Sequence, residues 1–182
     1  MKRKSDMGKA LVVLSGGQDS TTCLYWALDR FGCANVSSIT FDYGQKHRIE
    51  LECARKVAAA AGISNVCLPI DTFAALGGDA LTDTSIAVSD EADEETELPV
   101  TFVAGRNLIF LTFAAAYAYR HDARHLVTGV AQTDYSGYPD CREDTITALQ
   151  KAISLGMDRE FTIHTPLMHR SKKQTVELAV QL

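Results

Sequence analysis

Ser15-Gly16-Gly17-Gln18-Asp19-Ser20 follows an apolar run, Ala10-Leu11-Val12-Val13-Leu14, and precedes Thr21-Thr22-Cys23-Leu24-Tyr25-Trp26-Ala27-Leu28. The apolar run reads as a buried strand and the segment behind it as a helix. The order is therefore strand, glycine turn, helix. Gly16 and Gly17 allow positive φ and place no Cβ in the way of a ligand. The N–H groups at a helix start have no intrahelical partner and carry partial positive charge, which makes an anion site. Ser15 and Ser20 add hydroxyl donors, and Asp19 can cap the helix or hold a metal ion. The plainer reading is a tight turn with no ligand. The stretch is not a Walker loop, because no Lys-Ser/Thr pair follows its last glycine, and it is not G-x-G-x-x-G.

Outward from this turn, strands and helices alternate. Val36 to Phe41, Asn65 to Ile70, His125 to Val130 and Phe161 to His164 read as four more strands. Helices are expected over Gln45 to Ala61, closed by Gly62, over Thr72 to Leu76, Asn107 to Arg120 and Arg142 to Leu155, and from Lys172 to the end. Such alternation predicts an α/β fold, a parallel five-stranded sheet with helices on both faces, in one domain spanning 1–182. Ligands of such sheets bind beyond the carboxyl ends of the strands. The first turn lies at that edge, as do Asp42-Tyr43 and Ala131 to Cys141.

Composition narrows the class. No apolar run reaches the ~18 residues of a membrane span, and the start lacks a signal-peptide pattern. Five scattered cysteines form no C-x-x-C pair. They read as reduced thiols of a cytoplasmic protein, mostly buried as small hydrophobes. The net charge is −5, but six of the 23 acids fall between Asp90 and Glu97, leaving 17 against 18 Lys and Arg. The body is near neutral, which argues against a basic nucleic-acid face. The acidic stretch 78–98 has little to bury; it is expected to be mobile without ligand and to close over bound nucleotide.

Three constellations stand at the binding edge. Lys46, His47 and Arg48 begin a helix, the wrong end for cations, which suits a phosphate or carboxylate docking nearby as well as a solvated helix start. Arg106 can fork onto phosphate oxygens, and Asn107 can cap its helix. Asp134, Tyr135, Tyr138 and Asp140 mix carboxylates, which accept from a guanine-like edge, with rings that stack on flat bases. The same loop also reads as an ordinary turn in which Asp140 caps the next helix.

The S-G-G-x-D-S pattern resembles the loop of the ATP pyrophosphatases, enzymes that cleave ATP between its α and β phosphates. With Phe41-Asp42-Tyr43-Gly44-Gln45, Gly105-Arg106-Asn107, Thr128-Gly129-Val130, Asp134 to Arg142 and Ser154-Leu155-Gly156-Met157, the chain resembles the 7-cyano-7-deazaguanine synthases over residues 9 to about 180. That resemblance implies a Rossmann-like fold of the adenine nucleotide alpha hydrolase type and, usually, a homodimer. It implies 7-carboxy-7-deazaguanine, ATP and ammonia as substrates, a nitrile product of queuosine and archaeosine precursor synthesis, and Mg²⁺ as cofactor. On this reading Leu14, Ser15, Gly16, Gly17, Gln18, Asp19, Ser20 and Thr21 hold the pyrophosphate, and Thr40, Phe41 and Asp42 the adenine. Tyr43, Gln45, Asp134, Tyr135, Tyr138 and Asp140 hold the deazaguanine. Asp19, Lys46, Arg48, Arg106 and Arg142 serve catalysis, with no amino-acid nucleophile and Cys141 structural.

The family also carries a four-cysteine zinc segment near its C-terminus, and none of the five cysteines here matches it. The sequence is therefore expected to be a family member cut short, folding without zinc and exposing an apolar patch of Val176, Leu178, Ala179 and Leu182. Two alternatives are another pyrophosphatase, either tRNA-modifying or amide-forming, and a non-catalytic nucleotide-binding module.

Overall fold

A computed structural model describes residues 8–45, 49–72, 103–132 and 138–182. The chain runs β1 (Lys9–Val13), α1 (Gln18–Phe31), a 3₁₀ turn (Cys33–Asn35), β2 (Val36–Asp42), α2 (Ile49–Ala60), β3 (Asn65–Pro69) and α3 (Arg106–Arg120). It continues with β4 (Ala123–Val127), a second 3₁₀ turn (Pro139–Cys141), α4 (Glu143–Gly156), β5 (Thr162–His164) and α5 (Lys172–Gln181). The acidic stretch 78–98, and the helix expected after Thr72, lie outside the described residues. No helix among the described residues is long and apolar enough to cross a membrane.

The five strands are parallel in the order β3-β2-β1-β4-β5. Chain order reverses between β1 and β4, and at that point the crossovers diverge and leave a crevice at the carboxyl edge. The period-2 alternation of β1 explains the layering. Ala10, Val12 and Leu14 pack with Cys23, Leu24, Ala27 and Phe31 of α1 and with Ala54 and Ala58 of α2. Leu11 and Val13 turn to the other face, with Leu111, Ala114, Ala115 and Ala118 of α3 and Ile146 and Ile153 of α4. Alanines on the buried face of α3 let its axis come close to the sheet. The fully buried Phe31, Leu24 and Leu11 each contribute roughly 1.5–3 kcal/mol by leaving water.

Several expectations are corrected. The fourth strand begins at Ala123 and ends at Val127, so Thr128 to Val130 leave the sheet instead of extending it. The reason is a close approach: a Cβ at Gly129 would lie 3.1 Å from Ser20 N and 3.2 Å from the Asp19 carbonyl carbon, so the chain crosses the start of α1 there. Helix α2 ends at Ala60 and the chain turns at Gly62, φ +69°, where Ile63 N donates to Ala58 O, while Gln45, expected to open that helix, lies in the turn after β2. Only Cys23 among the cysteines is buried; Cys33 and Cys67 are exposed. Of the patch expected on α5, Leu178 is half-buried, because it packs on the α1-side core. Val176, Ala179 and Leu182 are exposed as expected, and Val180 adds to them.

Gly16 sits at φ +85°, and a Cβ there would meet Ala54 N of α2 at 2.5 Å. Gly17 sits at φ −74° and serves as the N-cap of α1, so the positive φ that both glycines allow is used by Gly16 alone. Gly16→Ala should cost at least about 2 kcal/mol in a urea melt, from strained φ plus the backbone clash. Gly17→Ala, whose Cβ would come no nearer than 3.6 Å to Ser15 Oγ, should stay within about 1 kcal/mol of the parent. Equal losses would show that the crowding at α2 is not what fixes the turn.

On the α1 face, His164 Nε2 lies 3.1 Å from His125 Nδ1, and the rings of Trp26 and Phe31 lie 5.4 and 5.7 Å from His164. Burial first, then the His125 ring, then Arg30, push His164 down from 6.5 to about 4. Between those values the unfolded chain binds the proton that the folded chain refuses. Stability is therefore present above pH 6.5, declines as pH falls toward 4, and levels off below. After discounting for partial exposure the loss is about 1–2 kcal/mol. Urea midpoints at pH 7 and 5 should separate more in the parent than in His164→Gln. An equal separation would place the pH dependence elsewhere.

Candidate active site

The turn after β1 is stapled by two hydroxyls. Ser20 Oγ donates to Gly17 O at 3.0 Å and accepts from Ser15 N at 3.2 Å. Its proton is thus used, so in the 3.0 Å pair with Ser15 Oγ it is Ser15 that donates. Ser15 Oγ also accepts from Gly17 N at 3.4 Å. These bonds curl the loop before the first turn of α1, where no side chain caps the helix. The N–H groups at that start have no intrahelical acceptor, so the loop presents donors and the positive end of the helix dipole.

A cavity of about 410 Å³ opens above this loop, between the ends of β1, β2 and β4. Leu14, Ser15, Asp19 and Ser20 line it from the first turn, and Thr40, Phe41, Tyr43 and Gln45 from the second. Arg106 and Tyr138 complete the predicted set that reaches it. Thr40 donates to Leu14 O at 2.8 Å, which holds β1 and β2 together beyond the last β1 residue. Gln45 is folded back: its Oε1 accepts from Tyr43 N at 3.0 Å and its Nε2 donates to Phe41 O at 3.4 Å. That internal brace shapes the turn after β2.

One wall is aromatic. Phe110 stacks on Phe41 with ring centroids 4.6 Å apart and stands 5.3 Å from Tyr43. Arg106 crosses the same wall, its guanidinium 5.8 Å from the Tyr43 ring and its Nη1 3.5 Å from the Tyr43 hydroxyl. A flat base has a stacking surface there, with a permanent cation at its edge. Phe110 escaped sequence reading because it lies mid-helix, where an aromatic reads as core.

Asp140 does something the sequence did not suggest. It is 4% exposed and its Oδ2 accepts from Asn107 N at 2.9 Å and Asn107 Nδ2 at 3.1 Å. It thus caps the preceding helix α3, across 33 residues, rather than the helix that follows it. Asn107, expected as a cap, sits inside α3 and is itself held by Asp140; Gly105 is the N-cap. A carboxylate at a helix N-terminus is stabilising by charge as well as by hydrogen bond. This bond fixes the first turn of α3 and with it Arg106.

Gly16 and Gly17 in the first turn, Gln18 and Thr21 at the start of α1 and Asp42 at the end of β2 do not line the cavity, and Arg142 is an exposed N-cap residue of α4. Lys46, Arg48, Asp134 and Tyr135 lie outside the described residues. Cys23 is no nucleophile: burial, then the Asp19 charge, push its thiol up to about 12. Cys141 lines the cavity and receives a hydrogen bond from Asn107 Nδ2 at 3.3 Å. Among the described residues no group of three or more His, Cys, Asp or Glu side chains could hold a metal ion.

Residues 9–182 match the family model described as queuosine biosynthesis protein QueC. The chain is 66% identical to the 7-cyano-7-deazaguanine synthase of Chromobacterium violaceum over its whole length, spanning 77% of that protein. It is 63% identical to the protein of that name from Laribacter hongkongensis over 96% of the chain and 75% of the relative. Among solved structures it is similar, at TM-score 0.60 and 18% identity, to a predicted tRNA methyltransferase subunit of Methanocaldococcus jannaschii, covering 96% of this chain and 75% of that one. It is also similar, at TM-score 0.58 and 21% identity, to the U34-tRNA thiolase NcsA of Methanococcus maripaludis, covering 94% and 56%. At those identities the solved structures speak for the Rossmann-like fold alone, whereas the sequence relatives and the family model agree over nearly every residue: this chain belongs to the QueC family of queuosine biosynthesis proteins.

Proposed function

We propose that this chain converts 7-carboxy-7-deazaguanine and ammonia to 7-cyano-7-deazaguanine at the expense of ATP. The observation that carries the reading is the hydroxyl-stapled Ser15–Ser20 loop, set at the reversal of strand order on the floor of a cavity with an aromatic wall. The loop and the α1 N-terminus suit the pyrophosphate that leaves when the α–β bond of ATP breaks. The backbone at the end of β2 suits adenine. The Phe41–Phe110–Tyr43 wall suits one of the two flat bases.

The chemistry needs no protein nucleophile. The substrate carboxylate attacks the α-phosphate, pyrophosphate leaves, and ammonia displaces AMP to give the amide with loss of a proton. The amide oxygen then attacks the α-phosphate of a second ATP, pyrophosphate leaves again, and departure of that oxygen as part of AMP, with loss of the two amide protons over this stage, leaves the nitrile. Each attack brings charge onto the α-phosphate, so a fixed cation there lowers the barrier. Arg106 is the described cation on the cavity wall. Lys46 and Arg48 remain candidates for the same task.

Mg²⁺ bound with ATP supplies charge neutralisation of the phosphates. The residues present suit it: a hard cation prefers carboxylate oxygen, and Asp19 Oδ1 is buried with no hydrogen-bond partner among the described residues. Asp19 is the residue that would hold it.

Incubating the purified chain with 7-carboxy-7-deazaguanine, ATP and ammonium should yield the nitrile by mass spectrometry, with AMP and pyrophosphate. AMP release without nitrile or amide would overturn the substrate assignment. Arg106→Ala should lower kcat/KM about 10²-fold, and Asp19→Asn should lower kcat at least as much, with melting temperatures near the parent's. Near-normal turnover of both variants would move the chemistry out of this cavity.

Because Asp140 is spent on α3, its substitution should act on the fold before it acts on specificity. Asp140→Ala should cost about 2 kcal/mol, by stranding the half-buried Asn107 donors. It should also lower kcat through Arg106. Unchanged stability combined with a raised KM for the deazaguanine alone would return Asp140 to the base-reading role.

A further inference from the structure

Nothing in the reading above uses the last helix, yet one of its side chains reaches the phosphate loop. Lys172 Nζ lies 3.1 Å from Asp19 Oδ2, across 153 residues of sequence. Helix α5 is placed for this. Its Thr175 is buried and Leu178 packs on the α1-side core. A reciprocal capping box, Ser171 with Gln174, fixes its first turn. Lys172 is therefore delivered over the start of α1 by a docked and capped helix. It stands in a first turn, where a cation opposes the helix dipole, so its position gains nothing from its own helix.

The partner is equally specific. Asp19 lines the cavity beside Ser15 and Ser20. An uncompensated carboxylate at that place would repel a polyphosphate. One of its oxygens is held by Lys172; the other, Oδ1, is closed from solvent and has no hydrogen bond among the described residues.

We propose that Lys172 is a positioning residue of the phosphate site. Its ammonium offsets the Asp19 charge and fixes Oδ2, leaving Oδ1 for a cation that arrives with the nucleotide. A carboxylate can then stand beside the leaving pyrophosphate without driving it out. The inference rests on the reading of Ser15 to Ser20 as a pyrophosphate loop. It adds the C-terminal helix as the element that sets the charge of that loop. Sequence pattern gave no hint of it, since it placed Lys172 only at the start of the last helix.

The test is calorimetric titration of the full chain with inorganic pyrophosphate, in EDTA and then in excess Mg²⁺. The proteins are the parent, Lys172→Met, Lys172→Arg, Asp19→Asn and the double variant. The Lys172 side chain is largely exposed, so its substitutions leave the fold in place, and Asn keeps the shape of Asp at position 19. In EDTA, Lys172→Met should weaken binding about tenfold, and Lys172→Arg should hold it within about threefold. The Met loss should shrink in about 0.5 M salt, where charges are screened. It should shrink again with Mg²⁺, which supplies the missing positive charge. In the Asp19→Asn background, Lys172→Met should change little, because no charge is left to offset. Parental affinity in Lys172→Met, or the same loss with and without the Asp19 charge, would overturn the positioning role while leaving the loop assignment standing. A parent that binds no pyrophosphate under either condition would overturn the loop assignment, and this inference with it.

Discussion

The turn from β1 into α1 is squeezed between two pieces of foreign backbone, and the site depends on that squeeze. On one side Ala54 of α2 leaves no room for a Cβ at residue 16. On the other, Gly129 brings the chain after β4 against the N-terminus of α1. Interiors this closely packed do not deform gradually, so the loop has one shape. The hydroxyls of Ser15 and Ser20 then bond each other and the loop backbone instead of water. The result is a set of donors aimed before any anion arrives, and pre-arranged donors need little reorganisation when charge develops.

Around that floor, one wall is held by an interaction long in sequence and another by a local brace. Asp140 reaches back 33 residues to Asn107 and fixes the first turn of α3. That places Arg106 against Tyr43 and Phe110 against Phe41. Gln45 braces the turn after β2 from within. The cavity is thus built from three turns at the carboxyl edge, each locked by a polar side chain that is mostly or fully out of water. Removing such a partner exposes a buried donor, which costs more than the bond itself contributes. The stabilising network and the chemical site overlap in the same few residues.

Cysteine usage fits the proposed reaction, which asks for no thiol nucleophile. The deepest thiol, Cys23, is held protonated by burial and by the nearby Asp19 charge. Its Sγ points to Thr128 O at 3.5 Å, a packing contact between α1 and the turn after β4. Under the proposed function the phosphate chemistry would fall to oxygens, N–H groups and fixed cations.

The α/β class, the parallel sheet and the position of the Ser15–Ser20 loop follow from local pattern alone. Apolar runs of five or six residues alternating with amphipathic helices leave few other folds, and a glycine turn between strand and helix is an anion site by geometry. Ser15, Asp19, Ser20, Phe41, Tyr43 and Arg106 were legible because their chemistry sits at turns. Tertiary structure decided the rest. Whether Gly16 or Gly17 takes the positive φ depends on where α2 packs. The fourth strand ends early because Gly129 must cross α1, a steric demand between segments more than 100 residues apart. Asp140 caps α3 rather than α4, and Phe110 is a cavity wall rather than plain core. Leu178 is half-buried while Val180 is exposed, because α5 docks on α1 through one narrow face. Lys172 reaches Asp19 by the same docking. All are through-space choices, and a one-dimensional pattern records a residue's period and its neighbours but not which distant backbone will be laid against it.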